Sequence, residues 1–415
     1  MEAPAENLPF LTCDIPPASG EIRAVPEDFR VDEIPRYRLC GEGDHVFLRI
    51  EKRNLPTLLA LDRIAKTLGV ARKAIGYAGL KDARAVTRQW ISIEHLDTDR
   101  LIRLDDVPNL QVVEVTRHTN KLRIGHLAGN RFQICLRNFH EPLDTVARRA
   151  RGVLDVLAVR GVPNYFGPQR FGNRSDTHLL GAAIIARQPQ RFLDLFLGLP
   201  DPADRSEVFV ARSLYEKGLY EKAADAWPRD SHDQKRALHS LVRTGGDHAK
   251  AFNLIDTHVK RFFISAFQSD LFNQVLAARM PDIDRLFDGD FAYKHDNGAC
   301  FAVEDAAVEQ PRCDRFEISP TGPLYGYRMT EAAGRPGEIE NDILAPTGLQ
   351  GADFRQMGYY RVKGARRPLR FQPRDIDIDS GHDERGVFLR LGFTLDPGCY
   401  ATTLLREIVK SDDLR

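Results

Sequence analysis

Near the start of the chain two stretches read as short strands, one on Phe29, Val31 and Ile34 and the next on Val46, Leu48 and Ile50, which alternate with polar positions at period two. Such alternation puts one row of side chains on each face of a strand, and Gly41-Glu-Gly-Asp44 between the stretches supplies a turn. The period then changes. From Thr57, placed to cap a helix, Leu58, Leu61, Ile64, Ala65 and Leu68 recur at helical spacing until Gly69. Beyond it, Ile75 to Leu80 and Gln89 to Ile93 read as two strands around a turn at Lys81-Asp82-Ala83.

A second helix is expected from Pro142 to Val159, where Leu143, Val146, Ala150, Val153, Leu154 and Leu157 share a face and Gly161 and Pro163 mark the stop. A third is expected near Phe263 to Arg279, on Phe263, Phe267, Leu271, Val275 and Leu276. The charge-rich stretch between them, about 187–260, is helical in flavour. Strand and turn character returns over 289–326, where Ser319-Pro-Thr-Gly-Pro323 reads as turn. Near the end, Val387, Leu389 and Leu391 alternate into Phe393, and a Pro397-Gly398 turn leads to a short helix with Leu404, Leu405 and Ile408. Strands at both ends and a helix-rich middle make the chain α+β.

Length and charge sharpen this picture. A chain of 415 residues suggests two domains or one domain with a large insertion. With 42% apolar and 28% charged residues and no long apolar run, it reads as a soluble protein without a membrane span. Met1 to Phe10 lacks the basic and apolar regions of a secretory signal, and the six cysteines include no C-x-x-C pair, so a reduced, cytoplasmic protein without bound metal is expected. Net charge is formally zero, so binding to nucleic acid would depend on local patches. Two stretches free of acids qualify: 115–140, with Arg117, Lys121, Arg123, Arg131 and Arg137, and 354–374, with Arg355, Arg361, Lys363, Arg366, Arg367, Arg370 and Arg374. Such runs also occur as plain solvated faces.

Two constellations carry candidate chemistry. Gly76-Tyr-Ala-Gly-Leu-Lys-Asp-Ala-Arg-Ala-Val-Thr-Arg-Gln89 sets a Lys-Asp pair at a turn, although aspartate also serves turns through its own backbone hydrogen bonds. Asn164-Tyr-Phe-Gly-Pro-Gln-Arg-Phe-Gly172 crowds an amide, three aromatics, a glutamine and an arginine into nine residues after a helix stop. Aromatics interleaved with glycine and polar groups suit stacking on a base and bonding to its edge. Asn273 and Arg279 lie in a segment whose periodicity is mainly that of core.

These segments, with Pro26-Glu-Asp-Phe-Arg-Val-Asp-Glu33, Gly41-Glu-Gly-Asp-His45, Leu127-Ala-Gly-Asn-Arg-Phe132, Gln268 to Arg279 and Phe393 to Glu407, occur together and in order in one family. The chain closely resembles the tRNA pseudouridine synthases of the TruD type. The resemblance implies a pseudouridine-synthase catalytic domain with a mixed, largely antiparallel sheet flanked by helices, formed by residues 1–186 and 356–415. An inserted α+β TRUD domain would occupy 187–355. It implies Asp82 as the catalytic carboxylate, with Phe29, Asn164, Phe166 and Phe393 around a flipped-out uridine. Lys81, Gln169 and Arg170 are the further candidates for substrate binding. Arg23 stands where the family commonly has lysine, and Asn173 to Gly181 resembles longer relatives that act on other structured RNAs besides uridine 13 of tRNA.

The reaction so implied isomerises uridine to pseudouridine. It needs no cofactor or metal, because nothing is oxidised and nothing leaves. A non-catalytic RNA-binding protein or RNA chaperone would use the same basic stretches and aromatics but gives no reason for Asp82 beside them. A hydrolase acting on N-glycosidic bonds would need a second acid as proton donor, for which Glu27, Asp28 and Glu33 are available, and would release free base.

Overall fold

The computed structural model describes residues 8–355, 359, 360 and 362–412. The chain forms two compact units, one from Phe10–Val162 with Phe371–Arg415, the other from Pro163–Arg370 with the residues up to Pro9. The change-over points fall at 162/163 and 370/371, against about 187 and 355 expected from the sequence. The reason is packing. The helix Thr177–Ile185 lies against the long helix Thr257–Ala278, where a Cβ on Gly181 would stand 2.1 Å from the Phe263 carbonyl, and the strand Ala365–Pro368 pairs with Ile318–Leu324.

The discontinuous unit is built on a nine-stranded sheet. Its main order is Arg374–Asp383, Gly386–Leu395, Leu127–Arg137, Phe29–Pro35, Val86–Glu94, His45–Arg53 and Leu110–His118. Pairing is antiparallel except between Phe29–Pro35 and Val86–Glu94, among the described residues, so the sheet is mixed and largely antiparallel as expected. Both predicted early strands are present, but burial alternates in the second only from Leu48, because His45 to Leu48 are all buried. In the first it alternates through Phe29, Val31 and Glu33, so an acid, not Ile34, takes the third inward position.

Two apolar clusters cover this sheet. The helices Leu143–Arg160 and Ala401–Val409 close over Val31, Phe132, Ile134, Leu389, Leu391 and Phe393. Thr57–Leu68 closes over Val46, Leu48, Ile50, Ile91 and Ile93. Each buried leucine, isoleucine or phenylalanine contributes about 1.5–3 kcal/mol of transfer free energy. Val31, Thr87 and Lys52 stand opposite one another across three neighbouring strands and so share a face. Two polar side chains, Thr87 and Lys52, therefore lie in one row among apolar neighbours on a face that packing would otherwise make wholly apolar.

The second unit is organised around Thr257–Ala278, a 22-residue helix that buries Phe263, Ile264, Phe267, Leu271, Phe272 and Val275. The helices Pro189–Leu197, Ser206–Glu216, Tyr220–Ala226, His232–Thr244 and His248–Asn253 confirm the helical reading of that stretch. A four-stranded antiparallel sheet follows, in the order Cys300–Ala302, Phe291–Lys294, Ile318–Leu324, Ala365–Pro368.

Ser319-Pro-Thr-Gly-Pro323, read as turn from its composition, is instead a buried strand. Its prolines are tolerated because the strand changes partner at Pro320/Thr321, and the Pro320 carbonyl, which needs no N–H, accepts from Leu369 N at 2.9 Å. No helix among the described residues is long and apolar enough to cross a membrane.

Candidate active site

Asp82 lies on the segment that joins the strands Ile75–Tyr77 and Val86–Glu94, with its side chain 44% exposed. No turn falls at Lys81-Asp82-Ala83; the segment is irregular with bends at 83–85, and its main chain is tied down along its length. Ala78 O accepts from Gly125 N at 2.8 Å, and Ala85 O from Asn54 N at 3.0 Å. Thr57 was expected to cap its helix. It is instead the first helical residue, and its hydroxyl accepts from Lys81 N at 3.0 Å and donates to Gln89 Oε1 at 3.0 Å. Gly76 lets this segment lie close to its neighbour, since a Cβ there would stand 2.3 Å from Leu122 O.

Lys81, expected to contact substrate, is committed to the interior. Its ammonium is 2.7 Å from the Glu33 carboxylate, with the two side chains 3% and 1% exposed, and it donates to Asn130 Oδ1 at 2.6 Å. Glu33 also accepts from Trp90 N at 3.1 Å. A buried cation with two acceptors cannot also meet a phosphate, so the lysine anchors the loop and leaves its neighbour exposed. Lys52, fully buried, donates from Nζ to the main-chain oxygen of Asp82 at 2.9 Å. Burial lowers its ammonium to about 8, with Asp82 favouring the charge and Lys81 opposing it.

Arg23 completes the cluster. Its Nη2 donates to Asp82 Oδ1 at 3.1 Å while its guanidinium stands 4.0 Å from the centre of the Phe29 ring. A planar guanidinium can stack and reach the carboxylate at once, which accounts physically for arginine where lysine is common. Burial lowers its pKa and Asp82 acts the other way. Its backbone sits at φ 63°, a conformation that costs a non-glycine residue on the order of 1 kcal/mol and that recurs at functional sites. Phe29 is 1% exposed and meets Phe132 edge-on, and Phe132 in turn stacks on Phe393, also 1% exposed. Both expected pocket aromatics thus belong to a buried row, linked by Phe132.

The Asn164–Gly172 loop belongs to the other unit. Asn164 is 3% exposed, and its amide donates to Pro368 O at 2.8 Å while its oxygen accepts from Arg367. Asn273, whose role its helix left open, faces this loop and holds both main-chain groups of Phe166 at 2.9 Å. The half-buried Phe166 ring has the Arg367 guanidinium 4.3 Å and the Arg170 guanidinium 5.8 Å from its centre. Arg170 donates to Ser265 and Ser269, and Gln169 is exposed. Arg279, by contrast, is a structural residue paired with buried Asp290 at 2.9 Å.

The basic stretches are only partly available. In the first, Arg123 and Arg131 are exposed, whereas Arg137 is buried between Asp28 and Asp383. In the second, Arg366 is buried on Glu340, Arg370 bonds Cys313 O at 2.6 Å and Ser319, and Arg374 pairs with Asp396. Arg366 and Arg370 of that run are thus internal, whereas Lys363 and Arg374 are exposed. Arg361 and the side chain of Arg355 lie outside the described residues. No cluster of three or more histidine, cysteine, aspartate or glutamate side chains suited to a metal ion occurs among the described residues.

Sequence reasoning missed Lys52, Asn130, Thr57 and Phe132 as parts of this site. The signal for Lys52 was available: it extends the inward series Val46, Leu48, Ile50 by one more step of two, and a lysine at a buried strand position is an anomaly.

Asp82 is thus an exposed carboxylate on a pinned loop, paired with Arg23, in the unit built on the mixed sheet. Residues 7–408 match the profile of the TruD family, tRNA pseudouridine synthase D. A tRNA pseudouridine synthase D of Geotalea daltonii is 41% identical over 97% of this chain and 100% of its own length, and one of Thermus thermophilus is 38% identical over 99% and 94%. A crystal structure of the putative tRNA pseudouridine synthase D from Methanosarcina mazei superposes with a TM-score of 0.86 at 28% identity, covering 99% of each chain. The chain belongs to the tRNA pseudouridine synthase D family. The length shared with these relatives means that the long form of the chain is not peculiar to this protein.

Proposed function

We propose that this enzyme isomerises uridine to pseudouridine in tRNA, at uridine 13, with Asp82 as the catalytic carboxylate acting on a base flipped out of its stack. The observation that carries the reading is the state of Asp82: exposed, paired with Arg23, and on a loop whose Lys81 is bound inside the protein and whose Asp82 main-chain oxygen is held by buried Lys52. A carboxylate so held keeps its position while its free oxygen meets substrate.

The chemistry follows from that oxygen. It attacks ribose C1′, or removes the C2′ proton to give a glycal, and the N1–C1′ bond breaks with its electron pair passing to the uracil. The base turns and C5 bonds to C1′, displacing the Asp82 ester or, from the glycal, with Asp82 returning its proton to C2′; the C5 proton is then lost to solvent and N1 gains a proton. Substrate and product are isomers, so the balance calls for no cofactor. Extruding the base costs roughly a few kcal/mol, which contacts with the protein offset. Phe166, Gln169 and Arg170 are the groups accessible for stacking and hydrogen bonding to the RNA. Asn164 orders their loop, and Phe29 and Phe393 supply apolar support. The discontinuous unit that carries Asp82 is the catalytic domain, and the enzyme works in the cytoplasm. Other structured RNAs are further substrates.

The test uses tRNA transcripts tritiated at uridine C5 with wild-type and Asp82→Ala protein. Tritium release and pseudouridine at position 13 from wild type alone support the reading. Binding without release by either protein identifies an RNA-binding protein, and release of free uracil identifies a hydrolase.

A further inference from the structure

The polar row under the Asp82 loop contains one side chain that the reaction as written does not use. Lys52 lies in the strand His45–Arg53, is 0% exposed, and has Thr87 and Leu110, both uncharged, as its cross-strand neighbours. A lysine in that position carries a large desolvation cost, and an apolar residue would continue the series Val46, Leu48, Ile50 without it. What Lys52 does there is specific: its Nζ bonds the main-chain carbonyl of Asp82 itself.

We propose that Lys52 is a positioning residue for this reaction, fixing the main chain of Asp82 from below and keeping a buried positive charge beneath the reacting carboxylate. The proposal rests on Asp82 as the reacting group. The division of labour on the loop supports it. Lys81 is engaged with Glu33 and does not reach the carboxylate, and Arg23 holds the carboxylate at Oδ1. Lys52 has no acid within ion-pair distance among the described residues, so its charge is uncompensated except by Asp82. A positive charge in a low-dielectric position steadies the carboxylate's negative charge when it leaves C1′ or gives up its proton.

The charge is also conditional. The groups that act on it are Asp82, which favours the ammonium, and Lys81, which disfavours it, and burial brings its titration to about 8. Protonated, the ammonium donates a charge-assisted bond to Asp82 O. Deprotonated, it leaves the loop with a weaker bond and no charge.

The test measures kcat and KM for pseudouridine formation by the full-length enzyme between about pH 6.5 and 9.5, using tRNA tritiated at uridine C5. Wild type is expected to lose kcat on the alkaline side, with KM for tRNA nearly flat. Lys52→Met should lower kcat at neutral pH by about tenfold or more, leave KM within about threefold and abolish the alkaline limb, with a circular-dichroism melt reporting its folding. Lys52→Arg, charged throughout, should recover part of kcat and show no limb in this range. If Lys52→Met does not fold, the limb in wild type and its absence in Lys52→Arg carry the test. A folded Lys52→Met with wild-type kcat, or with the same alkaline limb, overturns the proposal while an inactive Asp82→Ala keeps the catalytic reading. An active Asp82→Ala removes both.

Discussion

Replacing Glu33 by glutamine isolates the anchor of the catalytic loop. The substitution keeps size and an acceptor for Trp90 N but removes the charge that faces Lys81 at 2.7 Å. Both side chains are almost wholly buried, so solvent cannot take over the neutralisation. Breaking one partner of such a pair costs about 3–5 kcal/mol, because the remaining charge stays desolvated. Asn130 still accepts from the ammonium, which points to the lower end, near ~3 kcal/mol.

The two tryptophans make the measurement local, since Trp90 belongs to the unit with Asp82 and Trp227 to the other. In a Trp227→Phe background, urea unfolding followed by Trp90 fluorescence should show a midpoint lowered by on the order of 1–3 M, at slopes of about 1–3 kcal/mol per molar. Activity should fall further than stability, since the freed loop carries Asp82. Glu33→Leu combined with Lys81→Met should restore most of the stability without restoring activity. A Glu33→Gln protein within about 1 kcal/mol of wild type would refute the anchoring argument.

Two further outcomes are expected. Asp270, 5% exposed, has its carboxyl raised to about 6 by burial, partly opposed by a hydrogen bond from Gln274. Its folded pKa lies above its ordinary value, so the fold binds the extra proton and loses stability as pH rises from about 4 through 6. Asp270→Asn should flatten that dependence and gain on the order of 2 kcal/mol at pH 7, read from Trp227 in a Trp90→Phe background; an unchanged slope would exclude the carboxyl as its source. Arg123, exposed in the first basic stretch, is expected to meet RNA phosphate, so Arg123→Ala should reduce the slope of log affinity against log salt by about 1. An unaltered slope would mean a merely solvated side chain.

Most secondary structure was legible in the chain because strands and helices advertise which face they bury. The strands at Phe29 and Val46 and the helical stripe from Leu143 to Leu157 appear where their periods put them, whereas the turn expected at Lys81-Asp82 is an irregular, pinned segment. The family, too, was readable, because its motifs survive as contiguous residues in a fixed order. What the chain did not disclose is which charges are already engaged inside the fold. Lys81, Arg137, Arg366 and Arg370 look alike with Arg123 and Arg131 in a linear reading, yet the first four are buried against Glu33, Asp28, Glu340 and Cys313.

Ser319–Pro323 was misread for the same kind of reason. Local composition favours a turn, and only a strand that changes partners midway makes prolines acceptable there. Periodicity depends on neighbours within a few residues and is therefore fixed by the sequence itself. Whether a charge faces water or a counter-ion depends on partners tens to hundreds of residues away. Only the tertiary structure brings Lys52, Lys81, Glu33 and Arg23 around Asp82, leaving its carboxylate the exposed group of the cluster.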